Sequence, residues 1–253
     1  MLNADDWGRD RETTDRIYEC ILHGTVSSTS AMVFMEDSER AATLARESGG
    51  DAGLHLNLTM PFSAPDCPMR VLERQRELIA YLRRHALARV VFHPGLVRSF
   101  EYVVKSQIDE FCRTYGAQPN RIDGHHHMHL CTNVLLQGLL PHGTFVRRNF
   151  SFRPGEKNWV NRLYRKAVDQ RLARRHPIVD FLFSLIPLEP YSRLERIISV
   201  ARQSVVEVET HPINEDEYRF LMGDDFVRWT KDCPIARRFA AVGGGNFKNG
   251  TKA

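Results

Sequence analysis

The sequence predicts an α/β chain built on a parallel sheet, and three observations carry that reading. Segments of strand character alternate with segments of helical character along the chain. That alternation gives a parallel sheet, either open or closed into a barrel. Acids and imidazoles fall at or just past the ends of the predicted strands, at Asp5 and Asp6, His55, His125 and His211. Ligands of such folds gather at the carboxyl ends of the strands, so four separate segments can place polar groups on one face. The hydrophobic share of 42% and charged share of 26% are those of an ordinary soluble globular protein,. The 253 residues suit one large α/β domain or two small ones,. No internal repeat or linker divides them, so we read a single domain over 1–242. Residues 243–253 have the composition of a flexible tail.

The elements follow in order. The opening Asn3-Ala4-Asp5-Asp6-Trp7-Gly8 reads as the end of a short strand turning into a loop. Two adjacent carboxylates raise one another's pKa unless a cation lies between them. A metal resolves that conflict; a helix N-cap is the alternative, since a helix follows. Residues 10–23 place Ile17, Ile21 and Leu22 at helical spacing, with Gly24 as C-cap,. Residues 25–35 are strand-like and 39–47 helical. Residues 51–59 alternate, so His55, Asn57 and Thr59 share one face of a strand. The proline-bearing 60–69 is a loop. Helices follow at 72–87 and 99–115, and a turn at 116–120.

The next stretch, 121–130, has four histidines in five positions. If it is extended, His125, His127 and His129 share a face and His126 points the other way. Imidazole is the commonest metal ligand and titrates near neutrality. Beyond it, 133–140 reads as helix and 144–152 as a strand carrying Arg147 and Arg148. Residues 158–175 form a strongly basic run, most simply a solvated helix face. Strands at 179–186 and 204–212 flank a helix at 194–203.

Composition excludes several classes. The net charge of +4 is too mild to demand nucleic acid,. Five scattered cysteines with no C-x-x-C pair argue against a disulfide framework or a cysteine–zinc site and fit a reducing compartment,. There is no secretory signal pattern and no apolar run long enough to span a bilayer. The expected location is cytoplasmic, without stable membrane insertion, and a homodimer is compatible with the composition.

One carboxylate and two imidazoles make a three-ligand set with open positions, suited to a hydrolytic metal. A spare aspartate can serve as general base and a histidine opposite as general acid. Spacing alone does not separate amide or ester hydrolysis from phosphoester hydrolysis.

The motifs resemble those of the YdjC-like (ChbG-type) carbohydrate deacetylases. The opening is similar to the family's N-A-D-D-aromatic-G start, and 26–33 to its next strand. Gly53-Leu54-His55-Leu56-Asn57-Leu58-Thr59 is similar to its G-L-H-L-N-L-T segment. Asp123-Gly124-His125-His126-His127-Met128-His129 resembles D-S-H-x-H-x-H, and 207–212 resembles E-x-x-x-H-P. The motifs keep the family order from Asn3 to Pro212, most of the chain.

The resemblance implies an irregular (β/α) barrel, TIM-barrel-like and related to polysaccharide deacetylases. It implies removal of acetyl groups from N-acetylated sugars, chitooligosaccharides or conjugated N-acetylhexosamines, with one divalent ion, Mg2+ or Zn2+. Carried over by motif, Asp6, His55 and His125 are the metal ligands, Asp5 the general base and His211 the general acid. Arg147, with Arg148 as its competitor, is assigned to substrate binding or the oxyanion, and His127 to substrate binding.

Two departures stand out. Only Met1 and Leu2 precede Asn3, where the family has several apolar residues, and Gly124 replaces the serine of D-S-H. The basic stretch 162–175 has no matching motif and is available to an anionic substrate such as a phosphate-, nucleotide- or lipid-linked sugar. The rivals are a phosphoester hydrolase with the same ligands, a catalytically silent carbohydrate-binding protein and, last, a nucleic-acid binder, which a steep salt dependence would reveal.

Overall fold

The computed structural model describes residues 1–153, 155–233 and 235–236; the expected tail at 243–253 lies outside them. Among the described residues seven strands form one sheet: β1 (Leu2–Trp7), β2 (Ser28–Ala31), β3 (Ala52–Leu56), β4 (Arg121–Gly124), β5 (Phe145–Val146), β6 (Phe181–Ser184) and β7 (Val206–Thr210). Their spatial order is β5-β4-β3-β2-β1-β7-β6, and each pairing is parallel. The edge strands β5 and β6 do not pair. Backbone bonds from Val146 N to Pro177 O (3.1 Å) and from Ser151 N to Leu182 O (2.9 Å) bridge the gap. The result is the irregular barrel that the motifs implied.

Helices α1 (Arg11–His23), α2 (Ser38–Ser48), α3 (Met69–Leu82), α4 (Val97–Tyr115), α5 (Thr132–Gln137), α6 (Trp159–Ala173) and α7 (Ser192–Ala201) lie between the strands in sequence, and α8 (Glu215–Met222) and α9 (Asp224–Thr230) follow β7. Local chemistry sets their ends. Asp10 caps α1 by accepting from Thr13 N at 2.8 Å, and Gly24 closes it at φ +78,. The capping role weighed for Asp5 and Asp6 thus falls to Asp10. No helix among the described residues is long and apolar enough to cross a membrane.

Period-2 alternation splits each strand between two environments. Leu2, Ala4, Leu54, Leu56, Ile122, Val206 and Val208 join the apolar layer under the helices. Their neighbours Asn3, Asp5, Ser28, Ser30, His55, Arg121, Asp123, Glu207 and Glu209 are buried too, but inside the curled sheet. The interior is therefore a polar network in which most members satisfy one another, with Glu207 Oε2 left without a hydrogen-bond partner,.

Four strand expectations are corrected. The strand expected over 25–35 is confined to Ser28–Ala31, and that over 144–152 to Phe145–Val146. The histidine segment is not a strand beyond Gly124. Residues His125–Leu130 coil into a 3₁₀ turn, with His126 and His127 in the left-handed region at φ +55 and +56. Gly124 permits the coil: a Cβ there would stand 3.0 Å from both the backbone N and Nδ1 of His129. Where the related pattern has serine, this chain uses the missing side chain to bring His129 in. Likewise β3 stops at Leu56, and Asn57 turns its Oδ1 onto Thr59 N (3.2 Å) and Met60 N (2.9 Å), so it braces a turn rather than sharing a face with His55,.

Candidate metal and acid–base site

At the carboxyl end of β1 the ladder to β2 shifts register between Ala4 and Trp7. Asp6 takes φ +69 there. A side chain other than glycine in this region costs of order 1–3 kcal/mol, and such strain collects at functional sites. In a regular strand Asp5 and Asp6 would face opposite ways. The bulge turns both toward the interior, as bulges beside active sites do.

Asp6 divides its carboxylate between two tasks. Oδ2 accepts from Arg9 Nη1 at 2.8 Å. Oδ1 faces His125 Nδ1 at 3.0 Å and His55 Nε2 at 3.3 Å. Burial pushes this carboxyl up, but the hydrogen bonds of His125 and His55 outweigh it and hold it well below the ordinary range. His55 Nδ1 is bound to Asp123 Oδ1 at 2.7 Å, an orienting contact typical of metal-ligating imidazoles. Burial pulls the His55 pKa down, yet Asp5, Asp123 and Asp6 together raise it to about 10. The field that keeps a proton on this ring is a field that attracts a cation.

Asp6, His55 and His125 each offer one ligand atom, all within 4.8 Å of one another. His125 Nε2 is buried without a hydrogen-bond partner. Two imidazoles and a carboxylate, with one orphaned nitrogen, fit a divalent ion. Two neighbouring groups, Asp5/His55/Asp123 and Asp5/Glu209/His211, are equally close. Both are poorer hosts, because a guanidinium already neutralises them.

That guanidinium is Arg147, at 1% exposure. Its Nε donates to Glu207 (2.7 Å), Nη1 to Asp5 Oδ2 (2.6 Å) and Glu209 (3.0 Å), and Nη2 to Asp5 Oδ1 (2.8 Å). Nη2 also lies 3.0 Å from Asp123 Oδ2. All five N–H donors of an arginine are thereby engaged. Burial pushes Asp5 up, but Arg147 and His55 prevail and keep it low and ionised. Burial drives Glu207 and Glu209 upward, and for Glu209 the charge of Asp5 adds to it. Asp123 is held low as well, Arg147 and His55 prevailing over its burial, so of the four carboxylates around one cation Asp5 and Asp123 are shifted down and Glu207 and Glu209 up.

His211 sits at the rim, about a third exposed, with Nε2 4.0 Å from Asp5 Oδ2. Its backbone N is held by Glu217, which also accepts from Thr210 Oγ1. His127 lies at the edge, its Nε2 3.4 Å from Glu209 and its ring against Phe150. Burial, then Arg147, hold its pKa well below the ordinary value. His126 packs against His125 with the two rings tilted by 37°, and meets Thr59 Oγ1 at 3.0 Å. His129 points inward, its Nε2 donating to Arg147 O at 2.9 Å.

The structure thus gathers Asp5, Asp6, His55 and His125, with His211 and His127 around them. Arg147 lies beneath rather than facing a substrate, and its competitor Arg148 is occupied by Asp169 at 2.8 Å. Sequence reasoning missed Asp123, Glu207 and Glu209. Strict alternation in Val206-Glu207-Val208-Glu209-Thr210 was the signal for the two glutamates.

The family model of YdjC-like proteins matches residues 1–232. The chain belongs to the YdjC-like family. This YdjC-like chain is 31% identical over 175 residues to a chitooligosaccharide deacetylase of Enterobacter sp. (strain 638), covering 69% of the chain and 64% of that protein. It is 34% identical over 135 residues to the chitooligosaccharide deacetylase of Proteus mirabilis (strain HI4320), covering 53% and 51%. A carbohydrate deacetylase of Clostridium beijerinckii is 27% identical over 135 residues. The chain thus spans about half to two thirds of the length of the curated relatives it matches. A solved structure from Enterococcus faecalis V583, named for cellobiose-phosphate cleavage, shares the fold with a TM-score of 0.62 at 17% identity, covering 91% of this chain and 93% of that one.

Proposed function

We propose that this YdjC-like protein is a metal-dependent hydrolase that removes acetyl groups from N-acetylated sugars. The observation that carries the reading is the convergence of Asp6, His55 and His125 beside an ionised Asp5, with His211 4.0 Å from that carboxylate. The names of the deacetylase relatives support it. Asp6, His55 and His125 hold one divalent ion, Mg2+ or Zn2+. When bound, such an ion polarises the amide carbonyl and acidifies water.

The chain's own residues then divide the remaining work. Asp5 accepts the proton of the attacking water, and Arg147 and Asn3, whose Nδ2 donates to Asp5 Oδ1 at 2.7 Å, fix its orientation,. His211, at the rim, donates a proton to the departing amine nitrogen. His127, its pKa held low and its side chain 28% exposed at the cavity, is a hydrogen-bonding contact for the sugar. Arg147 acts through Asp5 rather than on the substrate.

Acetate release from a panel of N-acetylated sugars tests the reading, with chelator present and then with single divalent metals restored. Acetate that appears only with metal is the expected result. Phosphate release from sugar phosphates without acetate would replace it with the phosphoester reading. Metal bound at one equivalent with neither product would favour a silent carbohydrate-binding protein.

A further inference from the structure

Helix α6 has two apolar faces, and the fold uses only one. Val168 and Leu172, four residues apart, are buried against the body of the protein. On the opposite side, Trp159, Leu163 and Ala167 are spaced by one helical turn, with Val160 beside them. Trp159 is 74% exposed, Leu163 60% and Val160 54%. Single exposed apolar residues need no explanation, but a contiguous stripe does.

The stripe is framed by cations. Between 157 and 175 the chain has seven lysines and arginines and a single acid, Asp169. That acid is taken up by Arg148 at 2.8 Å. Arg162 and Lys166 flank the stripe on one side and Arg171 on the other. The segment 83–92 adds Arg83, Arg84 and Arg89 with no acid, and its Leu87 and Val91 are exposed. The two segments meet at a cavity of about 160 Å³ lined by Arg89, His126, His127, Asn149, Tyr164 and Arg165. Through His127, whose Nε2 lies 3.4 Å from Glu209, this cavity borders the edge of the candidate site.

We propose that this face of α6, with segment 83–92, docks reversibly on an anionic phospholipid surface. Apolar side chains with tryptophan on one side and arginine and lysine along the flanks describe a helix lying in the plane of a membrane interface. The cations meet the negative headgroups while the apolar stripe enters the acyl boundary. A second copy of the chain on the same face would set cation against cation. Nucleic acid would satisfy the cations and leave the apolar stripe in water. Docking goes beyond the hydrolytic reading and is measured without metal or substrate, so either can fail alone.

The test uses the full chain and vesicles of phosphatidylcholine, with and without phosphatidylglycerol. Of the three tryptophans, Trp7 and Trp229 are buried, so a change in emission on binding reports Trp159. The expected result is a blue shift, with co-sedimentation at least about tenfold stronger on phosphatidylglycerol vesicles and weakened by salt. The double variant Trp159→Ser/Leu163→Ser loses binding. Arg162→Glu/Lys166→Glu also loses it and tests the same face should the first variant fail to fold. Both retain the wild-type rate on a water-soluble substrate. Absence of binding to phosphatidylglycerol vesicles at low salt overturns the proposal. So does binding that both variants retain, or sedimentation velocity showing a dimer abolished by Trp159→Ser in a chain that ignores vesicles.

Discussion

His55 gives its Nδ1 to Asp123 at 2.7 Å, and this contact aims Nε2 at Asp6, 3.3 Å away. One buried carboxylate thus sets which nitrogen of the ring faces the proposed metal position. Partners of this kind are typically worth 10–100-fold in metal affinity. Asp123→Asn keeps the shape and removes the charge, so metal affinity measured by titration calorimetry should fall by roughly that factor. An unchanged affinity would mean that Asp123 does not orient the ring.

Ligand and base should separate by mutation. His125→Ala is expected to lose bound metal, measured by elemental analysis, together with acetate release. Asp5→Asn is expected to retain metal while turnover falls by about 10²–10⁴, the usual worth of a positioned general base. Full activity in Asp5→Asn would remove Asp5 from that role.

Arg147 makes a stability prediction. Its guanidinium is the shared partner of Asp5, Asp123, Glu207 and Glu209. Arg147→Met leaves these carboxylates facing one another, and breaking a buried pair by removing one partner costs about 3–5 kcal/mol. Urea unfolding at neutral pH should show a loss of that size. Arg147→Lys should recover only part, since an ammonium cannot form the two-pronged contact with Asp5.

His129 predicts a pH dependence. Burial, despite the bond to Arg147 O, lowers its pKa from 6.5 to about 4. The unfolded chain therefore takes up the proton first as pH falls. The contribution is intact above 6.5 and disappears as pH drops through 4. At about 1.4 kcal/mol per unit, the loss approaches about 3 kcal/mol. Urea unfolding from pH 7 to pH 4 should show this slope in the wild type and a correspondingly shallower one in His129→Gln. Parallel curves would assign the acid sensitivity to other groups.

The parallel sheet and its helices through α7 were legible in the sequence, while α8 and α9 were not. Alternation, capping residues and motif order are local properties, and they survive folding unchanged. Residues 10–24 illustrate this, with the helix closing at Gly24 and the apolar spacing before it matching α1. The geometry of the site was not legible. A regular strand would separate Asp5 from Asp6, and a bulge at φ +69 unites them. An extended histidine segment would align His125 with His129, whereas the turn after Gly124 sends one to Asp6 and the other to Arg147 O. Arg147 read as a substrate or oxyanion contact until four carboxylates from β1, β4 and β7 closed around it. These outcomes depend on which distant charges share one low-dielectric interior, and only the tertiary structure decides that. Sequence determined which chemical groups this protein has; folding decided which are exposed to a ligand and which hold the others in place.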